Sequence, residues 1–164
     1  GYLYAAYDLL LQDTVPSWLY EVKAGGTSIW ERWDALRPDG TVNLGKDPGS
    51  GLINAVGGGM VSFNHYANGA VGDWLYRRVA GLEAIEPGYK KFKVDPLVGG
   101  GLTSVSCFKK LSSGTIKINW NFENGVFVLS INVPFNTSAV ITLPDGEMHE
   151  VQSGKYSFKT DLKI

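Results

Sequence analysis

TIKINWNFENGVFVLSINVP, residues 115–134, alternates with a period of two: Ile116, Ile118, Trp120 and Phe122 fall on one side, Lys117, Asn119 and Asn121 on the other. That is the period of a strand with one buried and one wet face. Glu123-Asn124-Gly125 interrupts the pattern and VFVLSINV resumes it, so the stretch predicts an antiparallel hairpin. Outward from it, YKKFKVDP (89–96) and LTSVSCFKKL (102–111) read as earlier strands. SAVITLP (138–144), Asp145-Gly146 and EMHEVQSGKYSFKT (147–160) read as a further hairpin region. Roughly six to eight short antiparallel strands in this span predict a small β-sandwich, with Trp120 in its core. Cys107, the only cysteine, sits inside an alternating strand and reads as a small core residue; no internal disulfide can form.

Residues before about position 88 follow a different pattern. They hold four of the five tryptophans and all four arginines, whereas nine of the eleven lysines come later. Glu86-Pro87-Gly88 interrupts the chain at this shift, so two domains are expected, 1–88 and 89–164. YLYAAYDLLLQ (2–12) has no β-branched residue and is apolar most of the way round, as in a helix buried on two sides. Pro16 opens a second helix, SWLYEVKA (17–24), which Gly25-Gly26 should end. In SFNHYANGAVGDWLYRRVAGLEAI (62–85), three-and-four spacing from Phe63 to Leu82 predicts a long helix capped by Ser62. The glycine-rich connection between the last two, residues 37–60, is either functional or a linker.

Several function classes are excluded. The net charge is -1 and no long basic run occurs, so nucleic acid is not an expected partner. No apolar run approaches the roughly 20 residues a bilayer-spanning helix needs, so no membrane partner is expected and the chain reads as soluble. Gly57-Gly58-Gly59 lacks the GK[ST] ending of a phosphate-binding loop. Glu31, His65 and Asp34 alone do not make a metal-ligand set, and neither a metal nor another cofactor is expected.

The candidate chemistry lies in TSIWERWDAL (27–36), where Trp30 and Trp33 flank Glu31. Aromatic surroundings tend to hold a carboxylate in a fixed direction with raised proton affinity, which suits acid or base work. The alternative is that the two indoles are core residues while Glu31 meets solvent or Arg32. His65 can hydrogen-bond a sugar hydroxyl or cap the local structure. His149, near Glu147 and Glu150, reads as part of a solvated face and has no assigned role.

PSWLYEVKAGGTSIWERWDAL (16–36), followed by FNHYANGAVGDWLYRRVAGLEAIEPGYKKFKVDP (63–96), closely resembles the C-terminal end of bacterial α-L-rhamnosidases, inverting glycoside hydrolases of the six-hairpin (α/α)6 type. The resemblance covers essentially the whole chain. It implies an α+β fold, the final helices of an (α/α)6 barrel followed by a small antiparallel β-sandwich. It implies that Glu31, in T-x-I-W-E-R-W, is the catalytic general base and that His65, in N-H-Y-A-x-G, contacts bound rhamnose. Trp30 and Trp33 would help wall the substrate subsite. The general acid would lie in an earlier part of the barrel; Asp8, Asp13 and Asp34 do not match its segment.

The expected substrates are then terminal α-L-rhamnosides and other rhamnose-containing glycosides. The chain opens on Gly1-Tyr2-Leu3-Tyr4 without methionine, and is expected to be a catalytically incomplete fragment. Leu3, Tyr7, Leu10, Trp18, Trp74 and Leu75 would face absent neighbours, so the partner would be the remainder of the barrel or another copy bound through exposed apolar helices. The competing readings are a non-enzymatic carbohydrate-binding module and a structural docking fragment.

Overall fold

The structure, a computed structural model, describes residues 2–45 and 59–162. Most of the 37–60 connection, with Gly57 and Gly58, lies outside the described residues. The chain divides into two compact units, Gly1–Val71 and Gly72–Ile164.

In the first unit, α1 (Leu3–Leu11) packs on α2 (Trp18–Lys23). Ser17 caps α2 as its neighbour Pro16 suggested: its Oγ accepts the Tyr20 N–H at 3.0 Å, satisfying a donor the helix leaves open. Gly25, with φ +84°, turns the chain out of the helix, where an L side chain would be strained. After α2, the described residues up to Tyr66 are irregular backbone held by hydrogen bonds, with one isolated antiparallel bridge among them, Leu36 to Val42. On α1, Tyr7 is buried at 1% exposure, which corrects its expected place on an open face. The open apolar surface is made by Tyr2, Tyr4, Leu9 and Leu11 instead.

The long helix expected over 62–85 is much shorter. A 3-10 turn covers Ala67–Ala70, α3 covers Val71–Trp74, and a wide π-type turn covers Leu75–Val79, where the Ala80 N–H reaches back to the Leu75 carbonyl at 2.9 Å. Tertiary contacts set the early limit. The Ser62 and Phe63 carbonyls, which a helix would use internally, accept from the Glu31 N–H and the Ser28 hydroxyl. Ser62 is therefore not a helix cap. At the far end Gly81 takes φ +81°, and Leu82–Ala84 forms strand β1.

In the second unit, β1 is followed by β2 (Lys91–Val94), β3 (Ser104–Leu111), β4 (Gly114–Glu123), β5 (Val126–Val133), β6 (Ser138–Thr142), β7 (Met148–Val151) and β8 (Gly154–Asp161). They form two four-stranded sheets, β1-β2-β6-β7 and β3-β4-β5-β8. The hairpin read in 115–134 is present: β4 pairs antiparallel with β5, and Asn124 and Gly125 both take positive φ in the tight turn between them. β6 and β7 form the second hairpin. One pair departs from the all-antiparallel expectation, since β2 and β6 run parallel, with Phe92 opposite Ala139. Strands so far apart in sequence need no tight turn between them.

The inward residues of both sheets share one core. Phe92, Val94, Ile116, Ile118, Trp120, Phe127, Leu129 and Ile141 are all fully buried. Trp120 satisfies its indole N–H on the Val79 carbonyl at 2.9 Å, which lets so large a polar-edged ring sit at the centre. Cys107 is half-buried against this core, and burial pushes its thiol pKa up, as suits a packing residue. His149 packs against Phe158 with ring centroids 4.5 Å apart and planes tilted by 32°, and has Glu147 at 3.3 Å.

Candidate active site

Two short segments of the first unit are laced together backbone to backbone. The His65 N–H donates to the Ile29 carbonyl at 2.8 Å, and the Glu31 N–H donates to the Ser62 carbonyl at 2.9 Å. The Ser28 hydroxyl donates to the Phe63 carbonyl at 2.6 Å. Asn68 ties the same elements from further along: its amide reaches the Trp30 carbonyl at 3.4 Å, while its own carbonyl accepts the Trp18 indole N–H at 3.0 Å. Candidate residues 34 positions apart in sequence, Glu31 and His65, thus belong to one hydrogen-bonded strap.

The side chain of Glu31 is half-buried and held by one oxygen. Its Oε2 accepts the Ser62 N–H at 2.8 Å, so Ser62 grips Glu31 through both backbone and carboxylate. Among the described residues Oε1 has no hydrogen-bond partner and no ion pair joins Glu31 to Arg32. The Arg32 guanidinium instead covers Gly45, where an added Cβ would fall 2.2 Å from Nη1. A carboxylate anchored at one oxygen and open at the other can accept a proton along a fixed direction.

His65 Nδ1 accepts the Ala67 N–H at 3.2 Å, which assigns the ring proton to Nε2. The half-buried imidazole therefore presents a donor. Tyr66 lies parallel to it, with ring centroids 5.1 Å apart and planes 10° apart, and its own ring is 89% exposed.

The two tryptophans differ in position. Trp30 is 3% exposed and lies edge-on to both Tyr20, at 6.5 Å, and Phe63, at 5.2 Å, so its ring is core for the strap. Trp33 is half-buried and packs edge-on against Trp18 at 5.2 Å, with its indole N–H buried and unpartnered among the described residues. Asp34 accepts from the Asn43 amide at 2.7 Å.

Glu21, in α2, has no mark in the sequence that sets it apart from a solvent-facing helix residue. It is nevertheless 3% exposed, and its Oε2 accepts the Trp30 N–H at 3.1 Å, immediately before Glu31. Its Oε1 is buried without a partner among the described residues. Desolvation pushes the Glu21 carboxyl pKa up, against the lowering effect of the Trp30 N–H. Gly26 makes the burial possible, since a Cβ there would fall 2.9 Å from the Glu21 carbonyl and 3.1 Å from Trp30 Nε1.

Residues 2–79 match the family model of the bacterial α-L-rhamnosidase six-hairpin glycosidase domain, and residues 81–158 match that of the bacterial α-L-rhamnosidase C-terminal domain. The chain belongs to the bacterial α-L-rhamnosidase family. An α-L-rhamnosidase of Streptomyces avermitilis is 37% identical over 152 residues, which is 93% of this chain and 14% of that protein. Among solved structures, an Aspergillus terreus α-L-rhamnosidase superposes with a TM-score of 0.80 at 38% identity, covering 93% of this chain and 17% of that one. A Streptomyces avermitilis α-L-rhamnosidase, solved in complex with L-rhamnose, superposes with a TM-score of 0.77 at 32% identity, covering 94% and 16%. The chain therefore spans about one-sixth or less of the length of these rhamnosidases. The likeness extends through both the helical part and the sandwich, so the fold read in the sequence, terminal helices of a six-hairpin barrel and then a β-sandwich, is that of the rhamnosidases.

Proposed function

We propose that this chain is the part of an α-L-rhamnosidase that supplies the general base for hydrolysis of terminal α-L-rhamnosides with inversion. Glu31 takes a proton from water while the water oxygen attacks the anomeric carbon, on the ring face opposite the departing group. A second carboxyl group, roughly 6.5–9.5 Å from the first in inverting enzymes, protonates the glycosidic oxygen as that bond breaks. We assign the second group to the remainder of the catalytic barrel. Asp34 is engaged by Asn43, and Glu21 is buried behind Trp30, so neither is suited to the part.

The observation that carries this reading is the Glu31 carboxylate, with Oε2 held by the Ser62 amide and Oε1 unengaged, on the strap that also holds His65. His65 donates from Nε2 to a sugar hydroxyl. Trp33 offers apolar surface to the C–H face of the sugar, whereas buried Trp30 acts by holding the strap. The match to a relative solved with L-rhamnose supports the choice of sugar. The exposed Tyr4, Leu9 and Leu11 of α1, with Tyr2 just before it, are the surface we assign to contact with the rest of the barrel, or with another copy in its absence.

In the full-length protein, Glu31→Gln should lower kcat on an aryl α-L-rhamnoside about 10³-fold with L-rhamnose binding retained. Unchanged turnover would remove Glu31 from the mechanism. The 164-residue chain alone should show no turnover. Hydrolysis by the isolated chain that Glu31→Gln abolishes would instead show a complete site.

A further inference from the structure

The outer face of the sheet β3-β4-β5-β8 carries a row of side chains running across all four strands. Phe108 lies opposite Lys117, Lys117 opposite Asn132, and Asn132 opposite Lys155. Directly opposed residues in antiparallel strands point to the same face, so these four side chains stand side by side at about 4.8 Å per strand. The next row, about 6.7 Å along the strands, contains Asn119, Ser130 and Ser157. Lys117, Asn132 and Lys155 of the first row, with Asn119, Ser130 and Ser157 of the second, line a concavity of about 550 Å³, and Phe108 extends the first row beyond it on the edge strand.

This face has uncompensated positive charge. On the other sheet Lys91 pairs with Glu150 at 3.5 Å, and Lys93 pairs with Glu83 at 3.0 Å. Among the described residues neither Lys117 nor Lys155 has a carboxylate within ion-pair distance. The two acids on their own strands, Glu123 and Asp161, share a row with Val126 six residues further along, roughly 20 Å away. The cationic end is also pre-ordered: the Asn132 amide donates to the Thr115 carbonyl at 2.7 Å, which fixes the direction of its oxygen. At the edge strand the Phe108 ring is 60% exposed.

We propose that this concave face is a second carbohydrate-binding site, specific for an anionic saccharide bearing uronate carboxylates. Lys117 and Lys155 meet the carboxylates, and Asn119, Asn132, Ser130 and Ser157 meet ring hydroxyls, which need directional donors and acceptors. Phe108 meets the apolar face of a pyranose ring. A protein partner is disfavoured because seven of the nine lining residues are polar or charged, two of them lysines, whereas the core of a protein interface is depleted in charge. Nucleic acid is disfavoured because a single exposed ring and two lysines make neither a stacking platform nor a backbone-tracking groove. The site is independent of the role given to Glu31, and lies on a unit with no part in that chemistry.

The test uses the 164-residue chain, ¹⁵N-labelled, titrated with trigalacturonate, with the matching neutral galactose trimer, and with inorganic polyphosphate. The expected result is saturable shifts at Phe108, Lys117, Asn132 and Lys155 with trigalacturonate. Affinity should fall at least about tenfold in Lys117→Ala/Lys155→Ala and fall again with added salt. Phe108→Ala should weaken binding without changing its salt dependence. These residues are exposed, so a thermal melt matching wild type verifies that each variant is folded. The proposal is overturned by no shift with trigalacturonate, by equal binding of the neutral trimer, by tighter binding of polyphosphate, or by a double variant that binds as wild type.

Discussion

Ser62 holds Glu31 twice, donating its amide N–H to the carboxylate at 2.8 Å and accepting the Glu31 N–H on its carbonyl at 2.9 Å. Both contacts use the Ser62 backbone, which separates them from the identity of its side chain. Among the described residues the Ser62 hydroxyl only accepts the Asn64 N–H, at 3.1 Å. In the full-length protein Ser62→Ala should keep kcat within about threefold, whereas Ser62→Pro, which deletes the amide donor, should lower it about 100-fold. Steady-state kinetics on an aryl rhamnoside read both, and equal loss in the two variants would place the contribution in the hydroxyl.

Glu21 makes stability depend on pH with an unusual sign for a carboxylate. Burial raises its folded-state pKa above the unfolded value, so folding favours the protonated form. Its contribution is complete below the unfolded pKa and is lost as pH rises through the folded one. Glu21→Gln keeps an acceptor for the Trp30 N–H and cannot ionise. Thermal melts should therefore show the variant close to wild type at about pH 4 and gaining on it by about pH 8. Glu21→Leu leaves that buried N–H unpaired and should cost about 1–3 kcal/mol at either pH.

Glu83 has the opposite sign. Its hydrogen bond to Lys93, followed by the charges of Lys93 and Arg77, holds its carboxyl pKa below the usual range against the effect of desolvation. The stability it confers is present above the unfolded pKa and is lost as pH falls through the folded one. Lys93→Met should lower the neutral-to-alkaline plateau of the melting-temperature profile and leave its acid end nearly unchanged, so that the acid limb is flatter. An acid limb of wild-type steepness in that variant would remove the ion pair as its source.

Gly81 and Gly88 both take positive φ, at +81° and +69°, but their surroundings differ. A Cβ at Gly81 would fall 2.4 Å from the Pro96 nitrogen and 2.5 Å from the Asp95 carbonyl carbon, whereas none lies within 4 Å at Gly88. Gly88→Ala should cost about 1 kcal/mol from backbone strain, and Gly81→Ala about 3 kcal/mol or more, because backbone must also move. Urea denaturation curves of the two variants measure the difference directly.

The sandwich was the more legible half. Alternation along 115–134 identified the hairpin and the buried side of Trp120, because a two-residue period has only one arrangement that hides Ile116, Ile118 and Trp120 together. The same reasoning failed over 62–85. Its three-and-four spacing is real, but the Ser62 and Phe63 carbonyls bond to the Glu31 segment, and Leu82–Ala84 pairs with β2. Local periodicity cannot register competitors that arrive from far along the chain. The motif T-S-I-W-E-R-W pointed to Glu31, yet nothing local marked Glu21, whose burial depends on Gly26 and Trp30 folding back over it.

The amino-acid sequence by itself determined the β-sandwich with its core face and the family, and it singled out the two residues proposed to meet water and sugar. These follow from short-range periodicity, composition and ordered motifs. Only the tertiary structure decided that Glu31 and His65 belong to one strap, that Trp30 supports it from within, and that Lys117 and Lys155 flank Asn132 with no carboxylate paired to either among the described residues. Each of those depends on hydrogen bonds or strand registers between segments distant in sequence, and such pairings exist only once the chain has closed on itself.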